Sequence, residues 1–271
     1  MRRARCIGMR RATLLSLTLS SLVAGCAATR LAPPHPAPAV LPSAAEIDAA
    51  LSARRASVHS LRALARLRYR DAAQSVTSRE AIVVARPDRV RVEVLSLFGS
   101  VFLLVADNGQ MTAYAREENT VYRGQASPQN LERYVRLGLP VDELVDIVLG
   151  TPPPRDGRAQ VSFDEGAGAI RLYRSFEQGA QTVWLSEASL PLATEEVGAD
   201  GTARWRATFG AYEDHGGVAV ATHIGLDLPA WAQSMEIALQ DLEVNPTLDR
   251  SAFAFQAPAG SKVVDLRPLA D

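Results

Sequence analysis

Cysteine is almost absent from this 271-residue chain, which holds only Cys6 and Cys26. Cys6 lies in a segment read below as removable and Cys26 at its boundary. The folded part therefore keeps no thiol for a disulfide, a nucleophile or a cysteine metal site. Also missing is an apolar run of the roughly 20 residues that a membrane-crossing helix needs. There is no G-x-S-x-G elbow, no H-E-x-x-H helix and no Walker loop, so no enzyme signature is present. The G-x-G of "DEGAGAIR", residues 164–171, lacks a third glycine and a following helix and reads as a hairpin turn. Without internal repeats or a second linker, one non-enzymatic domain of about 230 residues is the economical reading.

What is present begins with a leader. Arg2, Arg3, Arg5, Arg10 and Arg11 form a basic head, Leu14 to Val23 an apolar segment, and Val23-Ala24-Gly25-Cys26 the ending. That order reads as a signal peptide over residues 1–25. The ending resembles the bacterial lipobox, which implies cleavage before Cys26, a diacylglycerol thioether on its sulfur and an acylated amine. An ordinary secreted protein whose cleavage site abuts a cysteine is the alternative. Two or three acyl chains would anchor far more firmly than one. Ala27 stands where an Asp would mark inner-membrane retention, so the expected location is the outer membrane, with the domain facing the periplasm. Of 29 basic residues, less the five leader arginines, 24 remain against 30 acidic ones, a net charge of −6. That acidity argues against nucleic acid as a partner.

Residues 27–42, "AATRLAPPHPAPAVLP", hold five prolines and read as an extended tether behind the lipidated Cys26. At about 3.1 Å per residue it reaches up to roughly 50 Å. His35, alone within it, lacks companions for a metal. Ser43-Ala-Ala-Glu46 fits a capping box and opens a helix over residues 44–58, with Ile47, Ala50, Leu51 and Val58 on one stripe. Alternating or apolar runs then predict strands at 61–70, 79–85, 88–95, 101–106, 111–115 and 120–123. A helical insert follows. Ser127-Pro128 starts one helix carrying Leu131, Tyr134, Val135 and Leu137, and Pro140 starts another through Leu144, Ile147 and Val148, closed by Gly150. Strands resume at 160–163, 169–173, 181–186, 191–197, 202–212, 218–226 and 234–244. The expected class is mainly β with helices (α+β), built on antiparallel neighbours around a core from residue 43 to 271.

Two features bear on function. "VEVLSLFGSVFLLVAD", residues 92–107, puts Leu97, Phe98 and Gly99 at a turn that is ordinarily polar. Burying a Phe or Leu side chain is worth about 1.5–3 kcal/mol, so such a tip either meets a bilayer or partner or tucks back as a hairpin plug. Second, Val90, Val92, Val94, Leu103 and Val105 on strands, with Leu131, Val135, Leu144, Ile147 and Val148 on the helical insert, are candidates to line a hydrophobic cavity. The same pattern also suits an ordinary filled core. Glu213, Asp214, His215 and His223 cluster in sequence, but a hairpin would put His215 in its turn and His223 far along the return strand, so no metal and no cofactor is expected.

The order of elements, the run "DRVRVEVLSLFGSVFLLVADNGQ" (88–110), the helix pair "LERYVRLGLPVDELVDIVLGTP" (131–152) and the tail "LEVNPTLDRSAFAFQAPAG" (242–260) resemble the LolA/LolB-like family of bacterial lipoprotein-sorting carriers, in particular its outer-membrane receptors. The resemblance implies an unclosed antiparallel β-barrel of about eleven strands with helices packed in its mouth. It further implies a carrier that binds acyl chains in an apolar cavity and takes part in lipoprotein or lipid transfer to the outer membrane. Phe98 would correspond to the exposed apolar residue that assists insertion. The implied partners are outer-membrane lipids, the acyl chains of client lipoproteins and a soluble periplasmic lipoprotein carrier, the chain itself acting as a monomer. An envelope structural or assembly lipoprotein, or a sensor, sharing the fold is the alternative.

Overall fold

The computed structural model describes residues 35–266; the leader, Cys26 and tether residues 27–34 lie outside them. From His35 to Pro42 the chain has no helix or strand, yet it is not a free spacer. The His35 amide donates to the Glu165 carbonyl at 3.1 Å, and Leu41 packs against a buried cluster of Ile47, Ile170, Leu172, Val183 and Leu185. Packing contacts thus start before Ser43.

Helix α1 spans Ala44–Ser57. The Ser43 hydroxyl accepts from the Glu46 amide, and the Glu46 carboxylate accepts from the Ser43 amide at 2.7 Å, a reciprocal cap that satisfies two orphan donors. Six strands follow: β1 Ser60–Arg70, β2 Ser75–Ala85, β3 Arg89–Ser96, β4 Gly99–Asp107, β5 Gln110–Ala115 and β6 Thr120–Gln125. Next come α2, Pro128–Val135, and α3, Val141–Val148. The remaining strands are β7 Arg158–Asp164, β8 Ala169–Phe176, β9 Gly179–Leu185, β10 Pro191–Gly198, β11 Ala203–Asp214, β12 Ala219–Leu228, β13 Gln233–Val244 and β14 Lys262–Asp265.

One 14-stranded sheet results, in the order β14-β6-β5-β4-β3-β2-β1-β13-β12-β11-β10-β9-β8-β7. Its ladders are antiparallel except β14 on β6, and it does not close, β7 and β14 being its edges. Fourteen strands replace the about eleven that the family resemblance implies. β1 to β13 each fall on a run read from the sequence, and β14 is a short addition at the edge. The turns obey local chemistry: Asn108 at φ 51 and Gly109 at φ 72 form the two-residue link of β4 to β5, the conformation that Asn-Gly supplies at least cost.

Cross-strand partners share a face, and the row Val183, Thr194, Ala207, Leu226, Met235, Tyr69 runs across the sheet from β9 to β1. All three helices pack on this face. The opposite face is mostly solvated; its main covered patch runs from β4 to β6, where Leu103 and Val105 are buried with Ala85 and Phe253 and Val121 is buried on β6. Phe253 ends a short 3-10 turn, Arg250–Phe253, capped by Asp249, and Arg91 donates to the Ala254 carbonyl at 2.8 Å to hold this strap down.

Helix α3 is fixed by charge as well as by grease. Asp146 has a 3% exposed side chain paired with both Arg55 of α1 and Arg86 of the β2–β3 turn. Arg86 also donates to the Thr151 hydroxyl at 2.7 Å and the Val58 carbonyl at 3.1 Å. Its burial, with Arg55 nearby, pulls its pKa down to about 9. On the same helix Glu143 meets Arg155 at 2.5 Å, and Arg155 reaches Glu196 of β10 at 2.7 Å. Asp146→Asn strands two guanidinium groups in a desolvated site, so denaturant unfolding of that variant is expected to show a loss of about 3–5 kcal/mol.

Candidate functional site

Between α2, α3 and the sheet lies an apolar cavity of about 210 Å³. Val90, Val92 and Val94 of β3 line it, as do Leu144, Ile147 and Val148 of α3. Three of the predicted lining residues do not. Leu103 and Val105 point to the other face, under the C-terminal strap, and their places are taken by Phe102 and Leu104. Counting outward from the two-residue turn without a slip would set Leu103 opposite Val92 and Val105 opposite Val90. The ladder slips by one between Val94 and Leu95, so that Val94 faces Phe102 and Val92 faces Leu104. A single extra residue inverts the side-chain parity of everything beyond it. Leu131 is also misplaced: it is wholly buried in the main core and does not reach the cavity wall. The Val135 side chain lies outside the described residues.

Sequence periodicity missed the far wall, formed by Leu67, Ile82, Ile224, Met235 and Ile237. These come from strands far apart in the chain, and only the register of β1 on β13 brings them together. It also missed Glu80, which stands on the wall between Val94 of β3 and Ala65 of β1. Glu80 is 6% exposed, and its sole hydrogen-bond donor among the described residues is the Ser78 hydroxyl at 2.8 Å. Burial pushes its carboxyl above the ordinary range, with the Ser78 bond opposing in part.

The cavity runs along the inner face from Val84 and Val90 to Val94 and Tyr69, and the tip projects from the Val94 end. Ser96 pairs with Gly99, leaving Leu97 and Phe98 as the whole turn, with Gly99 at φ 99. Leu97 and Phe98 do not tuck back: they are 98% and 87% exposed. The turn is nonetheless well held. The Ser96 hydroxyl accepts from the Phe98 amide at 3.2 Å and donates to the Gly99 carbonyl at 2.8 Å, while Arg116 donates to the Phe98 carbonyl at 2.8 Å. Val76 beside the β1–β2 turn, Val101 on β4 and Trp231 in the β12–β13 turn are exposed at the same end of the strands. Trp231 also stacks close to Gly138, in the α2–α3 joint, where a Cβ would come within 2.6 Å of its ring.

The acidic and histidine cluster does not assemble. His223 lies opposite Gly210 within the β11–β12 ladder, and His215 reaches only Glu213, at 3.8 Å. Among the described residues no group of His, Cys, Asp and Glu is arranged to hold a metal ion, and no helix is long and apolar enough to cross a membrane.

Glu80 makes a pH prediction. A carboxyl raised in the folded state stabilises the fold below its ordinary value near 4.5, and that contribution is lost as pH rises through the folded value. Glu80→Gln is therefore expected to melt higher than the parent at pH 7, the gap closing as both are acidified below the ordinary carboxylate range; thermal melts across pH check this.

The profile of the outer membrane lipoprotein LolB family matches residues 62–240, from β1 into β13. No curated protein sequence matches the chain. Among solved structures, a Vibrio parahaemolyticus domain described as an outer membrane lipoprotein-sorting protein is similar at a TM-score of 0.55 and 18% identity, covering 77% of this chain and 94% of that one. A LolA superfamily protein from Nitrosomonas europaea is similar at a TM-score of 0.54 and 11% identity, over 79% of this chain and 99% of that one. At such identities these two likenesses speak for the fold alone, and they agree with an open sheet wrapped around helices. The profile match, which spans the sheet strands, the helix pair and the tip between them, carries the assignment: this chain belongs to the outer membrane lipoprotein LolB family.

Proposed function

We propose that this protein is a non-enzymatic lipoprotein anchored through Cys26 in the outer membrane, its domain facing the periplasm, where it receives acyl chains in the apolar cavity and passes them to the membrane. The observation that carries this reading is the adjacency of an apolar cavity and an exposed Leu97-Phe98 tip at one end of a single sheet. Acyl chains offer no polar code, so a dry pocket suffices. At about 0.8 kcal/mol per methylene, burying a dozen of them would contribute on the order of 10 kcal/mol. The tip supplies the complementary requirement, an apolar wedge whose backbone is pinned by Ser96 and Arg116 so that it meets hydrocarbon already ordered.

The cavity's size sets a condition. At about 210 Å³ it is smaller than the roughly 300–1,000 Å³ of ordinary ligand pockets, so cargo must enlarge it. Helix α3 is bolted at Glu143 and Asp146, whereas α2 is held by Leu131, by the Tyr122–Tyr134 ring contact at 4.9 Å and by Gln233 on Glu132 at 3.3 Å. The space therefore opens on the α2 side. The same small volume favours a second reading, an envelope assembly or sensor lipoprotein whose cavity stays closed. Native mass spectrometry of the purified protein separates the two: a co-purified acylated ligand supports the carrier, and a clean apoprotein after exposure to lipoprotein supports the alternative.

Phe98→Glu tests the tip. The variant is expected to keep the parent's melting temperature, since the side chain is solvent-exposed, and to lose most of its transfer of lipoprotein to liposomes. Parental transfer rates would remove Phe98 from the role.

A further inference from the structure

Below the tip, on the solvated face, two arginines stand opposite each other with nothing to neutralise them. Arg66 of β1 pairs in register with Arg79 of β2, and Arg79 pairs with Leu95 of β3. Both arginines are exposed, and neither makes an ion pair among the described residues. The neighbouring acids on this face are committed elsewhere: Glu236 is shared by Arg68 and Arg70 at 3.5 Å, and Glu93 is held by Arg91 at 2.5 Å. Like charges placed directly across a ladder destabilise it. Arg66 also divides two shallow depressions of about 620 and 440 Å³, the first floored by Gly210, Gly225 and Ala238, the second flanked by Thr77, Ser78 and Arg79.

The spacing from the tip gives this pair a meaning. Leu95 is two residues short of Leu97, so Arg79 and Arg66 sit about 7 Å behind the tip along the strand. The headgroup layer of one leaflet is about 5–8 Å deep. A tip resting at the edge of the hydrocarbon would bring the two guanidinium groups to the level of the lipid phosphates. Val76, Val101 and Trp231, exposed at the same end, would lie in the interface, where Trp is favoured. We propose that the Arg66–Arg79 pair is a phosphate-reading site that docks this end of the sheet on an anionic phospholipid bilayer, fixing the depth and orientation of the tip. Planar guanidinium groups suit bidentate phosphate contact, and the proposal rests on the insertion role assigned to Phe98 above.

Vesicle sedimentation of the mature chain, without leader residues 1–25 and carrying Cys26→Ala so that no acyl anchor is added, tests it with vesicles of phosphatidylcholine alone and of phosphatidylcholine mixed with phosphatidylglycerol. The parent is expected to bind the mixed vesicles more tightly, with an advantage that shrinks as salt rises. Arg66→Gln with Arg79→Gln should weaken binding to the mixed vesicles about 30-fold and binding to phosphatidylcholine, whose phosphate is neutralised by its own choline, far less. Arg66→Lys with Arg79→Lys should recover most of it, and melting temperatures should not fall in either variant. Phe98→Glu, by contrast, should weaken binding to both. If the double Gln variant binds mixed vesicles like the parent, the phosphate site is wrong and the tip reading stands. If Phe98→Glu binds both like the parent, the tip reading fails, and the docking geometry falls with it. If the double Gln variant loses only binding to an acidic periplasmic protein, the surface serves a protein partner and the proposal is overturned.

Discussion

Asp146 is a carboxylate taken almost wholly out of water, and a charge in that position is tolerable only with cations fixed around it. The two that serve come from separate parts of the chain, Arg55 from α1 and Arg86 from the turn that joins β2 to β3. One buried carboxylate thereby locks the first helix, the helix in the mouth and the sheet into one geometry. Because its edge strands β7 and β14 never meet, the sheet keeps its curvature through such cross-links, the Glu143–Arg155–Glu196 bridge among them, and through its apolar core. The cavity exists because α3 is held at a set distance from β3 by this cluster, while apolar contacts from Leu144, Ile147 and Val148 fill only part of the space beneath.

Division of labour between the two mouth helices follows. α3 presents acids to buried arginines and apolar residues to the cavity, and it cannot shift without breaking ion pairs in a dry environment. α2 rests on an apolar stripe, with side-chain hydrogen bonds from Gln233 to Glu132 and from Asn130 to the Gln125 carbonyl, so its displacement costs mainly hydrophobic contact. Arg136, at φ 58, and Gly138 sit between the two helices, where the direction of the chain changes. One pocket thus has a wall held by ion pairs and a wall held mainly by apolar contact.

Much of this architecture was legible in the residues. The capping box at Ser43, the Ser127-Pro128 and Pro140 starts, the Asn108-Gly109 turn and thirteen strand runs are local signals, and local chemistry decided them. The exposure of Leu97 and Phe98 was readable as one of two outcomes, and the two-residue turn settles it, since so short a link leaves nothing to fold back over. What stayed hidden was non-local. A slip at Val94 and Leu95 moved the lining of β4 from Leu103 and Val105 to Phe102 and Leu104, and periodicity cannot register a single inserted residue in a strand apolar on both faces. Glu80 falls within the strand run 79–85, where nothing local sets it apart. Only the pairing of β1, β2 and β3 reveals it as a carboxyl in an apolar wall.

The strap over β4 also bears on how this protein behaves when handled. Leu103 and Val105 are greasy on the solvent side of the sheet, and they are kept dry by Phe253 and the segment around it rather than by the main core. Proteolytic trimming back past Leu248 would remove none of the cavity's lining residues yet bare a flat aliphatic stripe on a strand in mid-sheet. Such a molecule would fold, and then stick to its own kind. The dryness of that stripe is thus lodged in a short stretch of chain on the face opposite the cavity.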